Sequence, residues 1–231
     1  MRILGLIGGI SWVSTADYYR LINQGINEQL GGINFSQCII HSFNYADIKR
    51  NNEAQDWEAT YRMLLNAARH LKASGATCIL LCANTMHYFA ERLAAEVDLP
   101  LIHIAVETAI EIERSGLKKV GLLGTKITME FEFFKAKLAE KGIEAMIPDE
   151  DDRTFIHQTI FEELGKGIVT AETKKRYQQI IEQLADNGAE GVILGCTEIP
   201  LVIQQPDVAI RVFDTTAIHS KAAVAFSLNE S

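Results

Sequence analysis

The segment Gly188-Ala-Glu-Gly-Val-Ile-Leu-Gly195-Cys196-Thr197-Glu198-Ile-Pro200 decides the fold that we predict for this chain. Its apolar run has the length of a buried β-strand, and it ends abruptly in a thiol, a hydroxyl and a carboxylate. Pro200 is placed to begin a helix. We therefore expect Cys196 and Thr197 at the carboxyl edge of a sheet, which is where open α/β sheets bind their ligands.

An earlier segment, Gly75-Ala-Thr-Cys-Ile-Leu-Leu-Cys-Ala83-Asn84-Thr85-Met-His87, has the same plan. It is also an apolar run that begins after a glycine and ends in polar side chains. Aligning Gly75 with Gly188 places Ala83 at the position of Cys196. The chain therefore reads as two related halves.

A glycine turn also occurs twice. The run Leu4-Gly-Leu-Ile-Gly8-Gly9 is repeated as Lys119-Val-Gly-Leu-Leu-Gly124-Thr125. The first turn is G-x-x-G-G instead of the dinucleotide fingerprint G-x-G-x-x-G, and no acidic residue follows a second strand at the expected place, which argues against nucleotide binding. Ser11 and Thr125 follow these two glycine turns and are predicted substrate contacts.

Strands alternate with helices along the whole sequence, which predicts parallel sheets flanked by helices. The predicted fold class is α/β, with two pseudo-symmetric small domains separated by a cleft. The first domain comprises residues 1–98 plus 210–231 and the second comprises residues 99–209, with the last helix packing back on the first domain. Four strand ends are expected to meet around the cleft, namely Gly8, Ala83, Gly124 and Cys196.

Two local predictions bear on the site. A helix is predicted from Ser14 to Leu30, with Ser14 or Thr15 as its cap. Residues 44–52 are predicted to form a polar loop, and such loops often close over a site. Arg50 and Asn52 are the candidates in this loop for contact with a substrate side chain, although for each residue singly a place on a solvated surface loop is the simpler interpretation.

Composition limits the class of protein. The chain has 231 residues and 48% hydrophobic content, which suffices for one packed domain or two small ones. A formal net charge of -8 and a pI near 5.3 argue against nucleic-acid and anionic-membrane partners, which need a basic surface. The first apolar run is too short to span a membrane and lacks a signal-peptide pattern. The cytoplasm is therefore the expected compartment.

The four cysteines do not form a metal-binding pattern. The pair Cys78 and Cys82 would need two histidines nearby on the same strand end to hold zinc, so no metal site is predicted. Free thiols in a reducing compartment are the simpler interpretation. The cysteines are Cys38, Cys78, Cys82 and Cys196.

The two strand ends, residues 82–87 and 195–200, together resemble the cofactor-independent aspartate/glutamate racemase family. The resemblance extends to Gly-Leu-Ile-Gly-Gly-Ile-Ser-Trp at residues 5–12 and to Phe-Asp-Thr-Thr-Ala-Ile-His at residues 213–219. It implies two α/β domains with a cleft, no pyridoxal phosphate, no metal, and commonly a homodimer. It also implies a small amino acid as substrate, such as aspartate or glutamate.

The chemistry of such a family explains the two halves. Inverting an α-carbon requires removing a proton from one face and returning one to the other, so two acid/base groups must flank it. Cys196 is the predicted group for one face, because a helix N-terminus can lower the pKa of a thiol from about 8.5. Hydroxyl and amide groups next to the helix starts are suited to bind the α-carboxylate, namely Asn84, Thr85 and Thr197.

The first half departs from the two-thiol pattern. Where the resemblance puts the other acid/base residue, this chain has Ala83, which cannot carry a proton. Cys82 lies one residue earlier, and on a regular strand its side chain would point to the opposite face. Cys82 is therefore either a buried core thiol or, if a bulge turns it back, a second catalytic residue.

Four further residues have open roles. Glu198 either orients Cys196, or acts as a proton relay, or raises the pKa of that thiol as a neighbouring anion. His87 either lines the cleft or caps its helix. His103 and Asp214 lie at equivalent strand ends, where they either orient a catalytic group or make structural hydrogen bonds.

Three functions follow from this pattern. The first is an amino-acid racemase acting on aspartate, glutamate or a related small amino acid. The second is a one-thiol enzyme on the same scaffold, such as a decarboxylase of small dicarboxylic acids. The third is an amino-acid binder without catalysis. Exchange of the substrate α-proton with solvent and release of carbon dioxide distinguish the three.

Overall fold

The computed structural model describes residues 1–229, and the chain divides into two compact units. The first unit comprises Met1–His103 and the chain from His219 onward. The second unit is the continuous segment Ile104–Ile218. Each unit has its own sheet and its own hydrophobic core.

The first unit is built on a four-stranded parallel sheet in the order β2-β1-β3-β4. Its strands are β1 Leu4–Gly8, β2 Cys38–Ser42, β3 Cys78–Leu81 and β4 Leu101–Ile102. Its helices are α1 Trp12–Leu30, α2 Tyr45–Glu53, α3 Trp57–Ala73 and α4 Ala90–Val97, with a 3-10 helix at Thr85–Phe89.

The second unit repeats this sheet in the order β6-β5-β7-β8, again with every pair parallel. Its strands are β5 Lys119–Gly124, β6 Glu144–Met146, β7 Gly191–Gly195 and β8 Arg211–Asp214. Its helices are α5 Ile104–Arg114, α6 Lys126–Glu130, α7 Glu132–Ala139, α8 Glu150–Glu162 and α9 Ala171–Asp186, with 3-10 turns at Leu164–Lys166, Ile199–Leu201 and Gln205–Asp207. The last helix, α10 Thr215–Leu228, begins in this unit and ends in the first.

The predicted α/β class with two related parallel sheets is confirmed. The two sheets have the same strand order, with β5 in the place of β1 and β7 in the place of β3. Within residues 1–229, no helix combines the length and the apolar character needed to cross a membrane.

The unit boundaries differ from the predicted domains, 1–98 plus 210–231 and 99–209. Strand β4 pairs with β3 through Ile79 and Leu101, so residues 99–103 belong with the first unit. Strand β8 pairs with β7 through Val192 and Val212, so residues 210–218 belong with the second. Each edge strand pairs within the sheet of its own unit before the chain passes to the other unit. The sequence pattern alone does not reveal this pairing.

Helix α1 begins earlier than predicted, and its cap is Ser11. The Ser11 Oγ accepts the Ser14 backbone N–H at 3.3 Å, because Ser11 has the extended backbone of an N-cap residue. Ser14 and Thr15 are instead buried inside the first turn. The Ser14 hydroxyl donates to the Cys82 carbonyl at 2.7 Å, and the Thr15 hydroxyl oxygen accepts the Gly9 N–H at 2.9 Å.

The predicted polar loop at 44–52 is wrong, because most of it is helix α2. The Asn44 side chain accepts the Ala46 N–H and caps the helix, and Ile48 is its fully buried anchor. The remaining residues of α2 are mostly polar because they lie on the outward side of a surface helix. Arg50 and Asn52 are therefore on a helix, and no mobile loop carries them.

The glycine turns after β1 and β5 require glycine because the backbone is closely approached there. A Cβ on Gly8 would lie 2.4 Å from the Thr15 side chain, and one on Gly124 would lie 2.9 Å from the Gly195 carbonyl oxygen. Neither distance is compatible with a side chain. The turns can therefore bring helices α1 and α6 directly against the strand ends.

The end of α10 completes the core of the first unit, as predicted. Ala223 and Val224 pack in one cluster with Leu4 and Leu6. In the same region the His219 Nε2–H donates to the Ile102 carbonyl at 2.8 Å, and the Tyr18 hydroxyl donates to His219 Nδ1 at 2.7 Å. His219 is fully buried, and burial lowers its pKa to about 4.

We expect acid to weaken the first unit through His219. As pH falls below about 6.5, the unfolded chain binds a proton on this imidazole and the folded chain does not. The free energy of unfolding therefore decreases between about pH 6.5 and pH 4, by roughly 3 kcal/mol in total. The only two tryptophans, Trp12 and Trp57, lie in this unit, so fluorescence-detected urea unfolding at stepped pH measures the effect.

The variant His219→Gln should lose this part of the pH dependence. The control variant is His70→Gln, which changes an exposed histidine on α3. An identical slope for wild type and His219→Gln between pH 6.5 and 4 would contradict the expectation.

Candidate active site

A thiol and a carboxylate are hydrogen-bonded at the carboxyl end of β7. The Cys196 thiol donates to Glu198 Oε2 at 3.0 Å, and the Thr197 hydroxyl donates to the same oxygen at 2.7 Å. Cys196 is 9% exposed and Glu198 is 7% exposed, so both are nearly enclosed by protein. A nearly buried carboxylate thus receives two hydrogen bonds, one of them from a potential acid/base group.

The local backbone explains this arrangement. Gly195 ends the strand, and a Cβ there would lie 2.7 Å from the Leu123 carbonyl oxygen, so glycine is required. The chain then turns, and the Ile199 N–H donates to the Cys196 carbonyl at 3.2 Å. The helix predicted at Pro200 is a single 3-10 turn, Ile199–Leu201.

The pKa of Cys196 is raised well above the usual value for a thiol. Burial is the largest cause, followed by the charge of the Glu198 carboxylate and its hydrogen bond. Hydrogen bonds from the backbone of Thr197 and Glu198 act in the opposite direction but are weaker. The expected lowering of this pKa by a helix N-terminus is therefore wrong, because the turn is short and an anion lies beside the sulfur. The resting side chain is a thiol.

The strand registers make Ala83 the equivalent of Cys196. In the second sheet Leu123 pairs with Leu194, two residues before Cys196. In the first sheet Ile7, which the repeat aligns with Leu123, pairs with Leu81, two residues before Ala83. A partly exposed methyl group therefore stands where the second unit has its thiol.

Cys82 lies in the core of the first unit. Its side chain is 1% exposed and belongs to the cluster of Leu4, Leu6 and Tyr18. Its N–H continues the regular ladder by donating to the Ile7 carbonyl at 2.9 Å, so the bulge that would turn it toward Ala83 is not formed. Burial raises the pKa of the Cys82 thiol. This geometry favours a buried core thiol at Cys82, which is one of the two roles that the sequence allowed.

His87 holds the turn that contains Ala83. Its Nδ1–H donates to the Ala83 carbonyl at 3.0 Å, and its ring is 1% exposed. Its Nε2 has no hydrogen-bond partner in the described chain. Burial, with further contributions from His103 and His219, holds the pKa of His87 well below its usual range, so the ring is neutral. His87 thus supports the turn instead of capping a helix, and its ring carries no positive charge at rest.

The predicted carboxylate-binding residues lie on these two turns. Asn84 is 4% exposed and precedes the 3-10 helix, and Thr85 begins that helix and is partly exposed. Thr197 is partly exposed beside Cys196. Thr125 caps α6 by accepting the Thr128 N–H at 3.3 Å. Each turn therefore presents hydroxyl groups at the carboxyl edge of its own sheet.

Other candidates have structural partners. The Asn52 side-chain oxygen accepts a hydrogen bond from the buried Thr60 hydroxyl at 3.2 Å, which joins α2 to α3. Arg50 pairs with Asp47 one turn earlier. Asp214 accepts two backbone N–H groups and so caps α10. Of its two predicted roles, the structure therefore favours structural hydrogen bonding for Asp214.

Sequence reasoning missed Lys126 and His157. Lys126 directly follows Thr125, and its backbone N–H donates to His157 Nδ1 at 3.3 Å. The position of Lys126 after the glycine turn is a signal that the sequence did contain. His157 lies on α8, far from the turn in sequence, and no motif connects the two.

A family comparison covers most of the chain. A model of the Asp/Glu/hydantoin racemase family matches residues 7–223, which include both turns. The chain belongs to this family. Membership places it among the racemases, which are isomerases. No set of three or more potential metal ligands is grouped together anywhere in residues 1–229.

Relatives within and around this family cover nearly the whole chain. A candidate Asp/Glu racemase from Yersinia pestis is 45% identical, with a TM-score of 0.94 and coverage of 99% of this chain and 100% of that one. An aspartate racemase homologue from Pyrococcus horikoshii OT3 is 36% identical, with a TM-score of 0.87 and the same coverage. The broad specificity amino-acid racemase of Bacillus subtilis (strain 168) is 22% identical, over 96% of this chain and 97% of the relative.

We expect Glu198→Gln to lower the pKa of Cys196, because it removes the anion beside the sulfur and leaves a neutral group of similar size. The pH dependence of thiolate absorbance in the ultraviolet, or of alkylation by iodoacetamide, measures the change. At pH 8 the Glu198→Gln variant should therefore contain a larger fraction of Cys196 thiolate than the wild-type protein.

The matched control is Glu182→Gln, which changes an exposed glutamate on α9. If Glu198→Gln leaves the titration midpoint where it was, burial alone sets the pKa of Cys196 and the carboxylate has another role.

Proposed function

We propose that this protein is an amino-acid racemase-type isomerase that needs no pyridoxal phosphate. Its substrate is aspartate, glutamate or a related small amino acid, and Cys196 is the acid/base group for one face of the α-carbon. The hydrogen-bonded pair of Cys196 and Glu198 is the observation that carries this proposal. The proposal also includes a cytoplasmic location and a homodimer, as the sequence suggested.

Glu198 gives the resting thiol a route to its reactive form. When the Cys196 proton moves along the existing hydrogen bond to Glu198 Oε2, the sulfur becomes a thiolate that can accept the α-proton of the substrate. A bound amino acid brings an ammonium group, whose positive charge favours the thiolate that this transfer creates. Returning both protons restores the starting state. Each cycle thus moves two protons and consumes neither.

The α-carboxylate must be stabilised while charge develops next to it. We assign this role to Asn84, Thr85 and Thr197, with Ser11 and Thr125 as further contacts. The assignment rests on hydroxyl and amide groups at the carboxyl edge of each sheet. It includes the sequence-based expectation that the two turns act on the same substrate molecule.

Ala83 limits the second half of the reaction. Its methyl group cannot exchange a proton, and Cys82 is enclosed in the core. Cys196 alone can remove the α-proton of one enantiomer and return a solvent proton to the same face. We therefore propose a one-sided catalyst, with rapid α-proton exchange and slow inversion.

The single thiol also favours a second candidate function. A decarboxylase of small dicarboxylic acids needs to deliver a proton to only one face after carbon dioxide leaves, and Cys196 as a resting thiol is suited to this. Release of carbon dioxide from such acids would select this function. Ligand binding with neither exchange nor release would indicate a non-catalytic binder.

We expect Cys196→Ser to abolish both α-proton exchange and inversion, with a loss of about 10²-fold or more, because the hydroxyl is a far weaker acid/base group. Incubation of each enantiomer of aspartate and glutamate in deuterated buffer, followed by proton NMR, measures exchange. Cys38→Ser is the control, since Cys38 is a partly buried thiol on β2. Full activity of Cys196→Ser would refute the proposal.

We expect Ala83→Cys to raise the rate of inversion by about 10²-fold while KM changes little, because the new thiol adds a proton carrier and removes no contact. Circular dichroism or chiral chromatography measures inversion. Cys82→Ala is the companion variant and should leave inversion at its wild-type level. Fast inversion of both enantiomers by wild type and by Cys82→Ala would show that an unrecognised second base is at work.

A further inference from the structure

Lys126 is a partly buried cation that forms no ion pair with any carboxylate in residues 1–229. It is the first residue of α6 and directly follows Thr125. Among residues 104–218, every other partly buried lysine or arginine forms an ion pair, namely Lys119, Lys135, Lys137, Lys141, Arg153, Lys174 and Arg176. Partial burial disfavours a charge that has no counter-ion. Lys126 is therefore a cation that is available to bind an anion.

His157 presents a second donor at the same place. Its Nδ1 accepts the Lys126 backbone N–H, so in the neutral ring the hydrogen is on Nε2, which can donate to a ligand. The Lys126 ammonium acts on this ring, because after burial it is the next cause that lowers the pKa of His157. Glu130 acts in the opposite direction but is itself paired with Arg153 at 3.0 Å.

The backbone that carries Lys126 leaves the sheet beside the proposed catalytic thiol. Gly124 of β5 is directly opposite Gly195 of β7, so Thr125 and Cys196 leave neighbouring strands side by side. Neighbouring strands are about 4.8 Å apart, and Lys126 is only one residue beyond Thr125. The flexible four-carbon stem of a lysine can span the remaining distance.

We propose that Lys126 and His157 form an anion subsite that binds the side-chain carboxylate of a dicarboxylic amino acid whose α-carbon contacts Cys196. This inference rests on the proposed function and adds the residues that select the substrate. Ammonium and imidazole N–H groups bind a carboxylate by charge-assisted hydrogen bonds. A neutral amide side chain of the same size would leave the Lys126 charge without a partner.

The first test compares glutamate with glutamine in the α-proton exchange assay. Lys126→Met should lower kcat/KM for glutamate by about 10-fold to 100-fold, mainly through KM, because a hydrogen bond to a charged group is lost. Exchange with glutamine should not fall, because glutamine has no side-chain carboxylate to pair with Lys126. Lys118→Met is the matched control, since Lys118 is an exposed lysine immediately before β5, at the opposite end of the strand. An equal loss for both substrates, or no loss for glutamate, would overturn the subsite.

The second test uses glutarate, which has two carboxylates and no α-amino group, and so requires no catalysis. Glutarate should shift the His157 ring resonances in NMR spectra of the whole protein, identified by their absence in His157→Gln. The shift should disappear in Lys126→Met and persist in Lys118→Met. A shift without any amino-acid exchange would support the subsite and refute the racemase proposal. Exchange without a Lys126-dependent shift would refute the subsite alone.

Discussion

The parallel pairing of β5 with β7 is the constraint on which the rest of the site depends. Because Gly124 lies opposite Gly195, both strands end at the same level, and their next residues carry the hydroxyl of Thr125 and the thiol of Cys196. Both glycines are required by close backbone approach. The first sheet has the same order, so its turn has the same backbone frame with different chemistry. A common scaffold thus holds two unequal sets of side chains.

The parts of the fold that could be predicted are those with a continuous apolar pattern. Buried parallel strands are apolar on both faces, so β3 and β7 stand out in the sequence. Helix α2 does not, because Ile48 is its only fully buried residue and most of its other residues are polar, so that a polar helix and a polar loop have similar sequences. The domain boundaries were also missed, because short edge strands such as β4 belong to whichever sheet they pair with.

The site could be located from the sequence, but its electrostatics could not. The internal repeat is enough to align Ala83 with Cys196, since it depends only on residue order. The sign of the pKa shift at Cys196 depends instead on the direction of one carboxylate oxygen. The contact of Lys126 with His157 joins residues 31 positions apart on different elements. Such contacts arise from tertiary packing, which a linear pattern does not encode.

The path of the chain through α10 has a consequence for biosynthesis. The second unit is one uninterrupted segment, whereas the first unit needs His219, Ala223 and Val224 from the end of the chain to complete its core. Domains usually fold in the order in which they leave the ribosome. Here helix α10 is made after the second unit but supplies part of the core of the first. The core of the first unit therefore cannot be completed until α10 has been synthesised, and by then nearly every residue of the second unit has been made.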